Sequence, residues 1–76
     1  MIYVLATSEL NEGCKEKFLE IVKANVPKVL AEEGCIMYTP TVDFPSGLSA
    51  QKEVRANSVT FIEGWESMDR LMKHLQ

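Results

Sequence analysis

The segment Ser58–Trp65, SVTFIEGW, places a carboxylate between two aromatic side chains. If this segment is a strand, alternate residues point to the same side of the sheet, so Phe61, Glu63 and Trp65 share a face with Val59. Two aromatic rings around one ionisable group are typical of a pocket for a flat organic ligand. A carboxylate withdrawn from water there could accept a phenol-type proton. The alternative is structural: Trp65 fills the core, and Glu63 lies at a partly wet face of the sheet.

Three further polar residues are candidates for the same pocket. His74 is the only histidine, and it flanks the apolar stripe of the last predicted helix. It could exchange a proton at the edge of the pocket, or it could be an exposed or capping residue near a helix end. Tyr38 could present its hydroxyl to a ligand or simply be a half-buried strand residue. Asn57 could bind a ligand carbonyl with its amide or simply be a turn residue.

Composition and motifs exclude several classes of function. One histidine and two distant cysteines provide no metal-ligand spacing, and nucleotide-binding and nucleophile-elbow motifs are absent, so we predict neither metal nor cofactor. A net charge of −3 without a basic stripe argues against nucleic acid and membrane surfaces as partners. With no secretory signal and no long apolar run, we predict a cytoplasmic protein with reduced thiols.

Hydrophobic periodicity predicts three strands, at residues 2–8, 35–42 and 58–65. Pro40 indicates that the second strand lies at a sheet edge or contains a bulge, because proline cannot donate a ladder hydrogen bond. Residues 43–57 contain Pro, Gly, Ser and Asn without periodicity and are predicted to form a long loop.

Two amphipathic helices complete the predicted protomer. The first follows Asn11 as its N-cap and is stopped by Gly34, and the second is capped by Ser67. The resulting order, β-α-β-loop-β-α, matches a ferredoxin-like unit without its last strand. We therefore predict one α+β domain over residues 1–76, with an antiparallel sheet and both helices on one face. Because the sheet edge is uncovered, we expect either a domain that is incomplete at its C-terminus or one that is completed by a second copy of the chain. A length below ~80 residues favours self-association as the stabiliser.

Two motifs resemble those of the antibiotic biosynthesis monooxygenase family. They are E-G-C-I-M-Y at residues 33–38 and E-G-W-E-S-M-D-R-L-M-K-H at residues 63–74. Gly13 and Phe18 at the first helix, and Y-T-P-T-V-D at residues 38–43, are also similar to small members known as quinol monooxygenases. Members of this family usually continue past the position of Gln76 with a strand that completes the sheet.

The resemblance implies a homodimer, a dimeric α/β barrel in which two ferredoxin-like protomers pack sheet against sheet. It also implies oxidation of a small aromatic substrate, a quinol or polyphenol, by molecular oxygen without a cofactor. Trp65 and His74 match the Trp and His of the family motif, and Asn57 matches a polar pocket residue. On this view Trp65 stacks on the ring beside Phe61, Glu63 or His74 handles the proton, and Asn57 or Tyr38 orients an oxygen.

Other functions on the same barrel stay open. One is a ligand-binding or stress-response module without oxygenase activity, and another is a domain that only dimerises. A third is an isomerase acting on a phosphorylated sugar, which would need cations lining the pocket. The available cations are Lys52, Arg55, Arg70 and Lys73.

Overall fold

The computed structural model describes all 76 residues. The predicted α+β order is confirmed, and each strand boundary falls within one residue of its prediction. The elements are β1 (Ile2–Glu9), α1 (Lys15–Leu30), β2 (Cys35–Thr41), β3 (Ser58–Trp65) and α2 (Met68–His74).

The three strands form one antiparallel sheet in the order β1-β3-β2. The central strand, β3, pairs Trp65 with Ile2 on one side and Glu63 with Tyr38 on the other. Pro40 therefore lies on an edge strand, as predicted, while the irregularity of β2 falls between Cys35 and Met37. This arrangement agrees with the first three strands of a ferredoxin-like unit.

The start and end of α1 differ from the sequence prediction. Cys14 is the N-cap rather than Asn11, because Asn11 is used in the preceding turn, where its carbonyl accepts a hydrogen bond from the Cys14 N–H at 3.0 Å. The helix ends at Leu30, before Gly34 is reached. Gly34 instead provides a φ of 86° in the turn that leads into β2.

Both helices pack against one face of the sheet. Val29 of α1 and Leu71 of α2 form a buried cluster with Trp65 at the end of β3. Ser67 caps α2 as predicted, since its Oγ accepts a hydrogen bond from the Arg70 N–H. Only eight of the 76 residues are buried, so the core of a single chain is thin.

The opposite face of the sheet is open. Tyr3 and Leu5 of β1 are 66 % and 74 % exposed, although their neighbours Ile2 and Val4 pack against the core. An apolar sheet face of this kind is a feature of interaction surfaces. Neither helix is both long and apolar enough to cross a membrane.

Residues 43–57 form the predicted loop, which contains neither helix nor strand. An ion pair closes its base: the guanidinium of Arg55 donates to both carboxylate oxygens of Asp43 at 2.9 Å, and the Arg55 backbone N–H donates to Asp43 as well. These hydrogen bonds from Arg55 lower the pKa of Asp43 from 3.8 to about 2.

Candidate functional site

The inward face of β3 provides the base of the candidate site. Val59, Phe61, Glu63 and Trp65 are all buried, as strand alternation predicts. Because β3 is the central strand and both helices cover this face, its inward side chains are enclosed on every side. Glu63 is only 7 % exposed, so it does not lie at a wet sheet face.

Trp65 and Glu63 are bonded to each other. The indole Nε1 donates a hydrogen bond to Glu63 Oε1 at 3.0 Å, and Trp65 has no exposed surface. The indole thus gives the buried carboxylate a hydrogen-bond donor, which a buried charge requires. Trp65 lies in the core of this chain, and its contact with a ligand ring stays a prediction.

His74 lies between the indole and a second carboxylate. Its imidazole is stacked on the Trp65 ring, with a centroid separation of 4.7 Å and an interplanar angle of 32°. Its Nδ1 is 2.9 Å from Oε1 of Glu32, a residue in the turn that follows α1. The imidazole is 18 % exposed, so one ionisable ring near the end of α2 is held mostly inside the protein.

Tyr38 joins this histidine to the rest of the aromatic cluster. Its ring meets the His74 ring edge-on at 5.9 Å and lies 5.4 Å from the ring of Phe61, which in turn contacts Phe18. Burial raises the pKa of Tyr38, and the negative charges of Glu63 and Glu32 raise it further. The Tyr38 hydroxyl therefore keeps its proton and can donate a hydrogen bond.

Asn57 is not brought together with the other candidates. It precedes β3, where its carbonyl accepts a hydrogen bond from the Leu10 N–H at 2.8 Å, whereas Trp65 ends the same strand. At ~3.3 Å per strand residue, the two lie roughly 25 Å apart. A role for Asn57 in substrate binding stays a prediction.

A charged cavity of about 190 Å³ adjoins His74 and was not anticipated from the sequence. Arg70 is paired across it with Glu33 at 2.8 Å, and His74 is paired with Glu32. No local signal could have identified Glu32, because it is 42 residues from His74 and the two meet only where the turn after α1 lies against α2. The lining residues are Glu32, Glu33, Arg70, Lys73 and His74.

Of the cations that an isomerase would need, only Arg70 and Lys73 line this cavity. Arg55 is bound to Asp43 at the base of the loop, and Lys52 is an exposed loop residue. No three of the His, Cys, Asp and Glu side chains converge as metal ligands would.

A comparison with known protein families agrees with the α+β fold. The model of the antibiotic biosynthesis monooxygenase family matches residues 1–76, and the chain belongs to this family. It is also similar to proteins named "Probable quinol monooxygenase YgiN" in Escherichia coli K12, Escherichia coli O157:H7 and Shigella flexneri. Each is 49 % identical over 51 residues, which cover 67 % of this chain and 48 % of the relative. The chain thus spans about half the length of these relatives.

Proposed function

We propose that this protein is a cofactor-independent monooxygenase that oxidises a quinol or a related polyphenol with molecular oxygen. Membership of the family and the similarity to proteins named as quinol monooxygenases support this proposal. The observation that carries it is the placement of His74, an ionisable ring held by Trp65 and Glu32 at the wall of a cavity.

The proposed chemistry needs only a base and a protected site. His74 takes the proton of a quinol hydroxyl, the O–H electron pair stays on oxygen, and the resulting anion is rich enough in electrons to reduce oxygen. One atom of O₂ enters the ring to give a hydroxyquinone, and the other leaves as water with the two hydrogens that the quinol loses. All the electrons come from the substrate, so the reaction as proposed requires no metal and no organic cofactor.

The other candidate residues take defined places in this proposal. Trp65 has no exposed surface, so it supports the imidazole from behind, and Glu63 holds the indole in place. Tyr38 keeps its proton and can donate a hydrogen bond to a substrate oxygen. Phe61 is buried beside Tyr38 and does not line the charged cavity, so its contact with a substrate ring stays a prediction.

We propose in addition that the working form is a homodimer. The open sheet face, with Tyr3 and Leu5 exposed, and the thin core of the single chain both support this, since packing two such faces together would bury apolar surface on each copy. A cytoplasmic location stays a prediction that rests on the sequence.

The direct test is oxygen uptake with a panel of hydroquinones and anthrone-type rings, with a metal chelator present and no cofactor added. We expect saturable uptake with formation of the quinone product. His74→Ala should lower kcat/KM by roughly 100-fold, a typical effect of losing a general base. Uptake no faster than autoxidation in buffer would refute the proposal, and equal rates for the wild type and His74→Ala would refute the role of His74.

The cavity supports a second candidate, an isomerase or binding protein for a small phosphorylated molecule. Two cations, Arg70 and Lys73, line it beside His74, although both acidic residues of the cavity oppose an anion. A titration with inorganic phosphate, monitored by the NMR chemical shifts of the protein, would test this candidate. Saturable shifts at Arg70 and Lys73 without quinol-dependent oxygen uptake would favour it over the oxygenase.

A further inference from the structure

We propose that Glu32 is the positioning residue of His74. Its carboxylate keeps the imidazole proton on Nδ1, which leaves Nε2 as the nitrogen that accepts a proton from the substrate. The substrate step rests on the proposed function above, whereas the state of the imidazole does not.

The contact between the two side chains determines the tautomer. An ionised carboxylate can only accept hydrogen bonds, and a neutral imidazole carries one donor and one acceptor nitrogen. With Nδ1 only 2.9 Å from Glu32 Oε1, the donor must be Nδ1, and Nε2 then has a free lone pair. No protein group bonds Nε2, and the structure contains no buried side-chain nitrogen or oxygen without a partner, so Nε2 lies at an accessible surface.

The carboxylate is held in place by the turn that joins α1 to β2. The Glu32 N–H donates to the Val29 carbonyl at 2.9 Å, and the Glu32 carbonyl accepts from the Cys35 N–H at 3.1 Å. The carbonyl of Gly34, two residues further along the same turn, accepts a hydrogen bond from the N–H of Glu66 at 2.8 Å. The turn is therefore fixed to the segment that leads into α2, and this connection sets the position of Glu32 relative to His74.

The imidazole is also held on its other sides. One face lies on Trp65, and an edge meets Tyr38. A half-turn of the ring would exchange Nδ1 with Cδ2, so it would break the bond to Glu32 and place a carbon against the carboxylate. Packing and hydrogen bonding thus favour the same orientation of the imidazole. Glu32 is then a second group behind the reacting ring that fixes its tautomer.

The proton transfer follows from this orientation. The O–H bond of the quinol breaks, its electron pair stays on the oxygen, and a new N–H bond forms at Nε2. The resulting imidazolium has both nitrogens protonated and lies beside the negative charge of Glu32. The other charges near the ring are either paired, as Glu33 is with Arg70 and Glu63 is with the indole, or cationic, as Lys73 is.

The state of the imidazole can be measured without any substrate, because the protein contains a single histidine. Protein labelled with ¹⁵N-histidine gives one pair of ring nitrogens in a long-range ¹H–¹⁵N spectrum, and their shifts identify the tautomer. We expect the Nδ1–H form in the wild type above the pH at which the ring is protonated. Glu32→Ala should shift the population towards the Nε2–H form that free histidine prefers.

Glu33→Ala is the matched control. It removes the neighbouring carboxylate, which is hydrogen-bonded to Arg70 and not to the imidazole, so the Nδ1–H form should persist. A wild-type protein in the Nε2–H form, or a Glu32→Ala protein still in the Nδ1–H form, would overturn the inference. A circular dichroism spectrum equal to that of the wild type establishes that each variant is folded.

Kinetics provide an independent measurement of the same role. Glu32→Ala should lower kcat/KM for a quinol about tenfold and have no further effect in a His74→Ala background, because a positioning residue acts only through the residue that it positions. An equal loss in both backgrounds would contradict the positioning role. If the Nδ1–H form is observed but no quinol is oxidised, the proposed function fails while the role of Glu32 in holding His74 is supported.

Discussion

At the scale of single residues, the site consists of two rings and two carboxylates. Glu63 binds the indole of Trp65, Glu32 binds the imidazole of His74, and the two rings stack on each other. Each carboxylate thus has one ring donor, and each ring is fixed by one hydrogen bond and by its neighbour. Loss of either hydrogen bond should therefore affect both rings.

The bond between Trp65 and Glu63 should be measurable in stability. Trp65→Phe removes the Nε1 donor and leaves a buried carboxylate unpaired, so we expect the free energy of unfolding in urea to fall by about 3 kcal/mol. Glu63→Gln in the same background replaces the unpaired charge with a neutral amide and should restore about 1 kcal/mol. If the second substitution lowers stability further, the buried carboxylate is not the source of the loss.

At the scale of elements, the turn that joins α1 to β2 also contacts α2. Its Gly34 has a φ of 86°, and a Cβ atom at this position would overlap the side chain of Arg70 on α2. Only glycine satisfies both conditions, because other residues rarely adopt this φ and any side chain would displace Arg70. The same turn carries Glu32, so its conformation matters for stability and for His74.

Gly34→Ala should destabilise the protein by about 3 kcal/mol, the sum of an unfavourable φ and a steric overlap. Gly47→Ala is a matched control, because Gly47 also has a positive φ, 78°, but a Cβ atom added there would meet no other atom within 4 Å. It should cost only about 1 kcal/mol. Equal losses of stability in urea unfolding would show that contact with Arg70 contributes nothing.

The loop between β2 and β3 should respond to acid. The pKa of Asp43 is lowered to about 2 by its hydrogen bonds with Arg55, so the pair contributes stability that is complete above pH 3.8 and is lost as the pH falls through 2. An NMR titration of the Asp43 carboxyl should give a midpoint near 2. Arg55→Gln should return it towards 3.8, whereas Lys52→Gln, on the same loop, should leave it unchanged; a shift of equal size in both would contradict the specific pairing.

At the scale of the whole molecule, the single chain has both a thin core and an open face of its sheet. One face of the sheet is covered by both helices, and the other exposes apolar side chains of β1. A second copy packed on this face would provide the burial that a short chain otherwise lacks.

Leu5→Lys tests the proposed dimer. Leu5 is 74 % exposed in the single chain, so a lysine there should not disturb the protomer, but it would place a charge inside a sheet-to-sheet interface. We expect light scattering to report a dimer for the wild type and a monomer for the variant. Phe44→Lys, at an equally exposed loop position, should remain dimeric. A folded wild-type monomer at micromolar concentration would refute the dimer.

The elements and the inward face of β3 were determined by the sequence alone. Alternation along a strand and apolar spacing along a helix are local properties, so the boundaries of β3 and the shared face of Phe61, Glu63 and Trp65 could be predicted, whereas the burial of Glu63 was left open. The order of the elements and the motifs around Trp65 and His74 were enough to indicate the family. The N-cap of α1 could not be placed, because a turn closed by Asn11 competes with capping at the same residue.

Only the tertiary structure decided which side chains meet. The pair of Glu32 and His74 joins residues 42 positions apart. This pairing cannot be read from local spacing, because it depends on how the turn after α1 lies against α2. The separation of Asn57 from Trp65, by contrast, follows from the length of β3, which the sequence predicted. The sequence determined which side chains are available for chemistry, and the contact between the turn after α1 and α2 determined that Nδ1 of the one histidine is bonded and Nε2 is free.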